Sequence, residues 1–138
     1  MWKTVLLIEN DHHELNLMRH AIGEVDSTLR CMSFVYADEV VPALTNEMKH
    51  FPDYIFLDVD MPRKNVTDLL AELCPMKAVH QCKIAVFAPV MPKRVAYAYR
   101  VMGANYAFQK PATREGYREI FSRILGKETY VTLSTPDQ

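Results

Sequence analysis

Tyr54-Ile55-Phe56-Leu57-Asp58-Val59-Asp60-Met61-Pro62 is the stretch from which the rest of the chain can be read. Four apolar residues run unbroken into Asp58, and a proline follows four positions later. A short apolar run of this kind reads as a buried strand of a parallel sheet covered on both faces. Sheets of that type carry their ligand chemistry at the carboxyl ends of the strands. Asp58 stands at such an end. Strands also often stop at an aspartate for no chemical reason, so the flanking chain decides what Asp58 means.

Toward the N-terminus, Lys3 to Ile8 is another buried strand, ending in Glu9, Asn10 and Asp11. Leu15, Met18, Ile22 and Val25 then recur at helical spacing, with Asp11 as the N-cap. Met32 to Tyr36 reads as an edge strand, weakened by Arg30 and Ser33. Asp38 is placed to cap a helix with an inner stripe of Val41, Leu44, Met48 and Phe51, and Pro42 falls in or near its first turn. Toward the C-terminus, Val66, Leu69, Leu70 and Leu73 make a short helix expected to end or kink near Pro75. Ile84 to Phe87 is a fourth strand. Pro92 opens a helix carrying Val95, Ala98, Tyr99 and Met102, closed by Gly103. Ala104 to Gln109 is a fifth, weaker strand that runs into Lys110-Pro111. Thr113 caps a last helix with Tyr117, Ile120, Phe121, Ile124 and Leu125 inward, and Gly126 ends it.

Five strands alternating with five helices define an α/β class with right-handed crossovers and one parallel sheet. The expected architecture is a flavodoxin-like doubly wound sheet in the order 2-1-3-4-5, with helices on both faces. Strands 1 and 3 then lie side by side, so Glu9 and Asn10 converge on Asp58, and Lys110 closes the site from strand 5. Residues 1–126 form one domain, and residues 127–138 a short tail.

Composition narrows the function. The 138 residues, 49% hydrophobic and 24% charged, suit one soluble domain. No run approaches the roughly 20 apolar residues of a membrane span, and no signal-peptide pattern opens the chain. Three cysteines, Cys31, Cys74 and Cys82, lack metal-ligand spacing and read as reduced thiols, so a cytoplasmic protein is expected. The net charge of −1 is unevenly placed. Residues 1–90 hold eight Lys/Arg against thirteen Asp/Glu, and residues 91–138 hold eight against four. The acidic first part suits a cation site and the basic second part an acidic partner or half of a dimer. Neither argues for nucleic acid.

Leu57-Asp58-x-x-Met61-Pro62, with Glu9-Asn10 and Lys110-Pro111 in register, resembles the receiver domain of response regulators in two-component phosphorelays. The resemblance covers about residues 3–125, and the single-domain chemotaxis receivers are its nearest type. It implies that Asp58 is the phosphoacceptor and that Lys110 supplies a cation. It also implies a Mg²⁺ held by Glu9, Asn10, Asp58 and the backbone carbonyl of Asp60, and a cis Lys110–Pro111 bond. The implied partners are a sensor histidine kinase or phosphotransfer protein, and a downstream protein or second copy on the helix 4–strand 5–helix 5 face. No nucleic acid or membrane is implied, and no enzyme activity beyond Mg²⁺-dependent self-phosphorylation and self-dephosphorylation. The chemistry needs this mix, because a carboxylate attacking a phosphoanion meets like charge that a hard cation and a lysine must offset.

Several positions depart from the pattern. Asn10 replaces an acid, which weakens the metal site. Ala88 stands where the family has Ser or Thr, and Pro89 has no amide to offer. Ala107 occupies the usual aromatic position, with Tyr106 one place off and facing the other way. Val66 replaces a loop glycine. Three classes follow: a phosphoaccepting receiver, a phosphate-independent pseudo-receiver acting as a binding module, and a phosphatase using Asp58-Val59-Asp60. The last is set aside because no further acid lies at a later strand tip. The five histidines show no zinc pattern, although His12 and His13 lie close in sequence to the metal site. Tyr97, Arg100, Tyr106, Arg114 and Arg118 have the composition of a partner surface, whereas Tyr99 and Tyr117 belong to the core.

Overall fold

The structure, a computed structural model, describes residues 3–47 and 49–126. Five strands, β1 (Thr4–Ile8), β2 (Arg30–Phe34), β3 (Tyr54–Asp58), β4 (Lys83–Ala88) and β5 (Tyr106–Gln109), form one sheet. All neighbours are parallel and the order is β2-β1-β3-β4-β5. Five helices alternate with them: α1 (His12–Val25), α2 (Val40–Asn46), α3 (Val66–His80), α4 (Lys93–Val101) and α5 (Arg114–Leu125). The doubly wound sheet expected from the sequence is therefore present.

Strand alternation divides the core in two. Leu6, Ile8, Ile55, Leu57, Ile84 and Val86 point toward α2 and α3. Val5, Leu7, Phe56, Ala85, Phe87 and Phe108 point toward α1 and α5. On the second side Phe56, Phe87, Tyr117 and Phe121 pack with ring centroids 4.9–6.3 Å apart. Each fully buried side chain of this size contributes about 1.5–3 kcal/mol. That packing clamps β3 and β4 against α5, and the pairing of β1 with β3 and of β5 with β4 sets where the other strand tips lie.

The helix caps follow the sequence signals at some ends and not at others. Asp11 caps α1 through bonds from the His13 and Glu14 amides, and Thr113 caps α5 through the Gly116 amide, both as expected. Asn65, not singled out beforehand, caps α3 by accepting from the Asp68 amide. Asp38 does not cap α2. It lies in a 3-10 turn, Ala37–Glu39, and its carboxylate pairs instead with Arg63 at 3.9 Å. That turn shifts the phase of α2, which ends at Asn46 and buries Val40, Ala43 and Leu44. Val41 is only half-buried, Phe51 packs from the following loop, and Met48 lies outside the described residues.

Other expectations are corrected by tertiary contacts. β2 starts and ends two residues early because it pairs Thr4 with Arg30 and Ile8 with Phe34, and so stops where β1 stops. β4 is longer at each end, and β5 begins only at Tyr106. α3 runs through Pro75 to His80. Pro75 lacks the amide that would bond the Ala71 carbonyl, and both residues lie on the exposed side of the helix. The helix is held on either side of Pro75, by the Cys74 Sγ–Met102 carbonyl contact before and by His80 stacked on Phe51 after. Met102 sits at the C-cap of α4 and is 40% exposed rather than inward. No peptide bond among the described residues is cis, so Lys110–Pro111 is trans, contrary to expectation.

Candidate phosphoacceptor site

β1, β3 and β5 each deliver one charged residue to the carboxyl edge of the sheet. Glu9 directly follows β1 and is 2% exposed, while Asp58 is the last residue of β3 and is 5% exposed. Lys110 follows β5, and its Nζ lies 3.1 Å from both Glu9 Oε1 and Asp58 Oδ2. Because β4 separates β3 from β5, the lysine must reach across the end of β4, where Ala88 offers only a methyl group. The Lys110 amide donates to the Ala88 carbonyl at 2.7 Å and pins the base of that reach. The three residues singled out from the sequence thus meet at one point.

Each remaining oxygen has its own partner. Glu9 Oε2 accepts from the Asp11 amide at 3.2 Å, and Asp58 Oδ1 from the Asp60 amide at 3.1 Å. Glu9 Oε1 is buried, lies 3.1 Å from the Lys110 ammonium and receives no well-aligned hydrogen bond. Burial first, and then the Asp58 charge and a hydrogen bond with Asp58, raise the Glu9 pKa from 4.5 to about 7. For Lys110 burial works against the charge, but the Asp58 and Glu9 carboxylates outweigh it and raise the pKa. One ammonium therefore serves two buried carboxylates. The site is short of positive charge.

That shortage bears on the implied metal. An under-coordinated buried carboxylate oxygen beside a second carboxylate is a donor set that fits a hard divalent cation. Glu9 and Asp58 would hold it, with the Asp60 carbonyl on the loop that leaves β3. Asn10 is exposed, and its Nδ2 donates to the Val35 carbonyl at 2.9 Å, which ties the amide to the end of β2. Among the described residues no three His, Cys, Asp or Glu side chains gather into a metal cluster. His12 and His13 are exposed in the first turn of α1.

The altered positions lie where the register put them. Ala88 is buried at the end of β4, and Pro89 is exposed beyond it. Ala107 is fully buried, paired with Val86 in the sheet, and leaves its face of β5 without a ring. Tyr106 faces the α1/α5 side and packs flat on Phe108, centroids 6.0 Å apart, so it is not part of the expected partner surface. Val66 opens α3 and is buried. The left-handed residue of that loop is Arg63, at φ 74°.

Two contacts escaped the sequence reading. Tyr117 donates its hydroxyl to Glu14 Oε2 at 2.9 Å, joining α5 to α1 beneath the site, and burial and Glu14 raise its pKa. Arg63 places its guanidinium 3.6 Å from the Tyr36 ring centroid, bridging the loops after β3 and β2. Both join residues distant in sequence that carry no local pattern.

A scan against protein-family models found no match, and neither did a search of curated proteins. Solved structures do match in fold. The phosphorylated cyanobacterial phytochrome response regulator RcpA superposes with a TM-score of 0.78 at 18% identity, covering 100% of both chains. The Mn²⁺-bound response regulator Rcp1 gives 0.78 at 17% identity, covering 97% of this chain and 99% of its own. The chemotaxis response regulator CheY4 of Vibrio cholerae gives 0.72 at 18% identity, with 91% and 100% covered. The chain has the CheY-like receiver fold.

Proposed function

We propose that the chain is a receiver of a two-component phosphorelay, accepting a phosphoryl group on Asp58 and signalling through protein contacts. The observation that supports this above all is the Lys110 ammonium 3.1 Å from both Asp58 and Glu9 at the mouth of a receiver-type sheet. Asp58 Oδ attacks the phosphorus of a phosphohistidine or small acyl phosphate. The new O–P bond forms as the bond to the donor breaks, and the donor leaves with that electron pair. Asp60 holds one carboxylate oxygen through its amide, and Lys110 meets the charge that grows on the phosphoryl oxygens. A bound Mg²⁺ would supply the further positive charge that two buried carboxylates call for. Glu9, with its pKa near 7, readily gives up its proton to become a ligand.

The expected partners are a sensor histidine kinase or phosphotransfer protein upstream and a protein downstream. No helix among the described residues is long and apolar enough to cross a membrane. On α4, Tyr97 and Val101 are 64% and 67% exposed, beside the exposed cations Lys93 and Arg94, whereas Arg118 on α5 borders the C-terminal end of α1 and lies apart from that face. That surface suits an acidic protein partner or a second copy of the chain. The reading includes no enzyme activity beyond turnover of the site's own phosphoryl group, and it places the protein in the cytoplasm.

A second reading is supported by Ala88, Pro89 and Ala107: a pseudo-receiver that binds partners without using phosphate. Intact mass after incubation with Mg²⁺ and acetyl phosphate separates the two. A gain of one phosphoryl group, absent in Asp58→Asn, supports the first; no gain supports the second.

A further inference from the structure

At the other end of the sheet from Asp58, the amino ends of β1 and β2 open into two adjoining cavities of about 570 and 460 Å³. Thr4, Arg30, Lys49 and His50 line both, so they form one groove, of a size that suits a small organic ligand. Lys49 and His50 are exposed and make no hydrogen bond or ion pair among the described residues. The Lys49 ammonium and the His50 imidazole therefore face one space.

The second cavity adds a flat wall. His80 stacks on Phe51, centroids 4.2 Å apart and planes within 5°. Phe51 packs against the core while His80 is exposed, so the outer face of the imidazole is open to another ring. Beside the stack stands Asp53, an exposed residue whose Oδ2 accepts from the Thr4 amide at 2.9 Å and whose carboxylate can accept from a hydroxyl as well. A carboxylate next to a ring platform, with cations a few residues away, is an arrangement that matches sugar, base and phosphate in one molecule. Glu47 lies on the rim of the first cavity and limits how much negative charge the groove accepts. A single phosphate is favoured over a triphosphate.

We propose that this groove binds a nucleoside monophosphate, with the phosphate on Lys49 and His50, the base on His80 and a ribose hydroxyl on Asp53. The site is independent of Asp58 chemistry and stands whether or not the phosphoacceptor reading holds. The test is an amide and imidazole NMR titration of the whole chain with adenosine 5′-monophosphate, adenosine and inorganic phosphate. Saturable shifts at residues 30–32, 49–51 and 80 are expected with the nucleotide. Adenosine and phosphate should each bind about tenfold more weakly, because each makes only part of the contacts. Lys49→Ala should weaken the nucleotide and Glu47→Gln should strengthen it, both with an unchanged dispersed spectrum. The proposal is overturned if the nucleotide leaves those residues unshifted at millimolar concentration. It is also overturned if Lys49→Ala binds as wild type does, or if phosphate alone binds as tightly as the nucleotide.

Discussion

Burial and the adjacent Asp58 carboxylate raise the Glu9 pKa from 4.5 to about 7, so the folded protein keeps a proton that the unfolded chain has released between those values. The stability this group contributes is present below pH 4.5 and is lost as pH rises through about 7. In metal-free buffer, urea unfolding should therefore show stability falling from pH 5 to pH 7.5, by an amount on the order of 3 kcal/mol at most, one pKa unit being worth about 1.4 kcal/mol. Glu9→Gln should flatten that profile, and Mg²⁺ should restore wild-type stability at the alkaline end. An unchanged slope in Glu9→Gln would show that another group titrates. Asn10 makes a second prediction. Asn10→Asp gives up the bond to the Val35 carbonyl and adds a carboxylate, so Mg²⁺ should bind more tightly in a titration followed by NMR shifts. Weakening, or no change, would mean that residue 10 faces away from the metal.

Gly103, between α4 and β5, adopts φ 117°, and a Cβ there would collide with Cys74 Sγ on α3. Gly103→Ala should destabilise the fold by about 2 kcal/mol or more, from backbone strain and the collision together. Measured against Cys74→Ala alone, which removes the colliding Sγ, adding Gly103→Ala should cost only the backbone part. No cost in that background would show that backbone strain contributes nothing. Asn65→Ala removes the one side-chain cap of α3 and should cost about 1 kcal/mol in the same assay. The loop that α3 closes carries the Asp60 carbonyl, so a frayed N-terminus should also weaken Mg²⁺ binding. Tyr117→Phe leaves the aromatic cluster intact but strips the donor from Glu14, at about 1–2 kcal/mol.

For the molecule as a whole, the question is whether a change at Asp58 reaches the α4 surface. A ligand shifts an equilibrium only through differential contacts, and the usual contacts are missing here. Ala88 has no hydroxyl to move toward a phosphoryl group, Pro89 no amide, and Ala107 no ring to turn. Beryllofluoride with Mg²⁺ should therefore shift the amides at the tips of β1 and β3 while leaving residues 91–109 nearly unchanged. Large shifts across 91–109 would show that the two ends are coupled by another route. With the expected result, the Tyr97–Val101 face is available to a partner in both states.

Fold class, strand order and the meeting of Glu9, Asp58 and Lys110 were legible in the sequence because they rest on short-range patterns. Apolar runs of strand length with helical spacing between them give the doubly wound class, and the resemblance carried by Leu57-Asp58-x-x-Met61-Pro62 supplies the strand order in which the charged ends converge. What needed the tertiary structure was each feature settled by a distant neighbour. β2 takes its ends from β1, α3 passes Pro75 because Cys74 and His80 are held from outside the helix, and Asp38 gives up its cap to Arg63. The same holds for the site: its residues could be named from their positions, but not the sharing of one ammonium by two buried carboxylates. Local sequence sets which way a side chain points; how charged it becomes depends on what the fold packs around it.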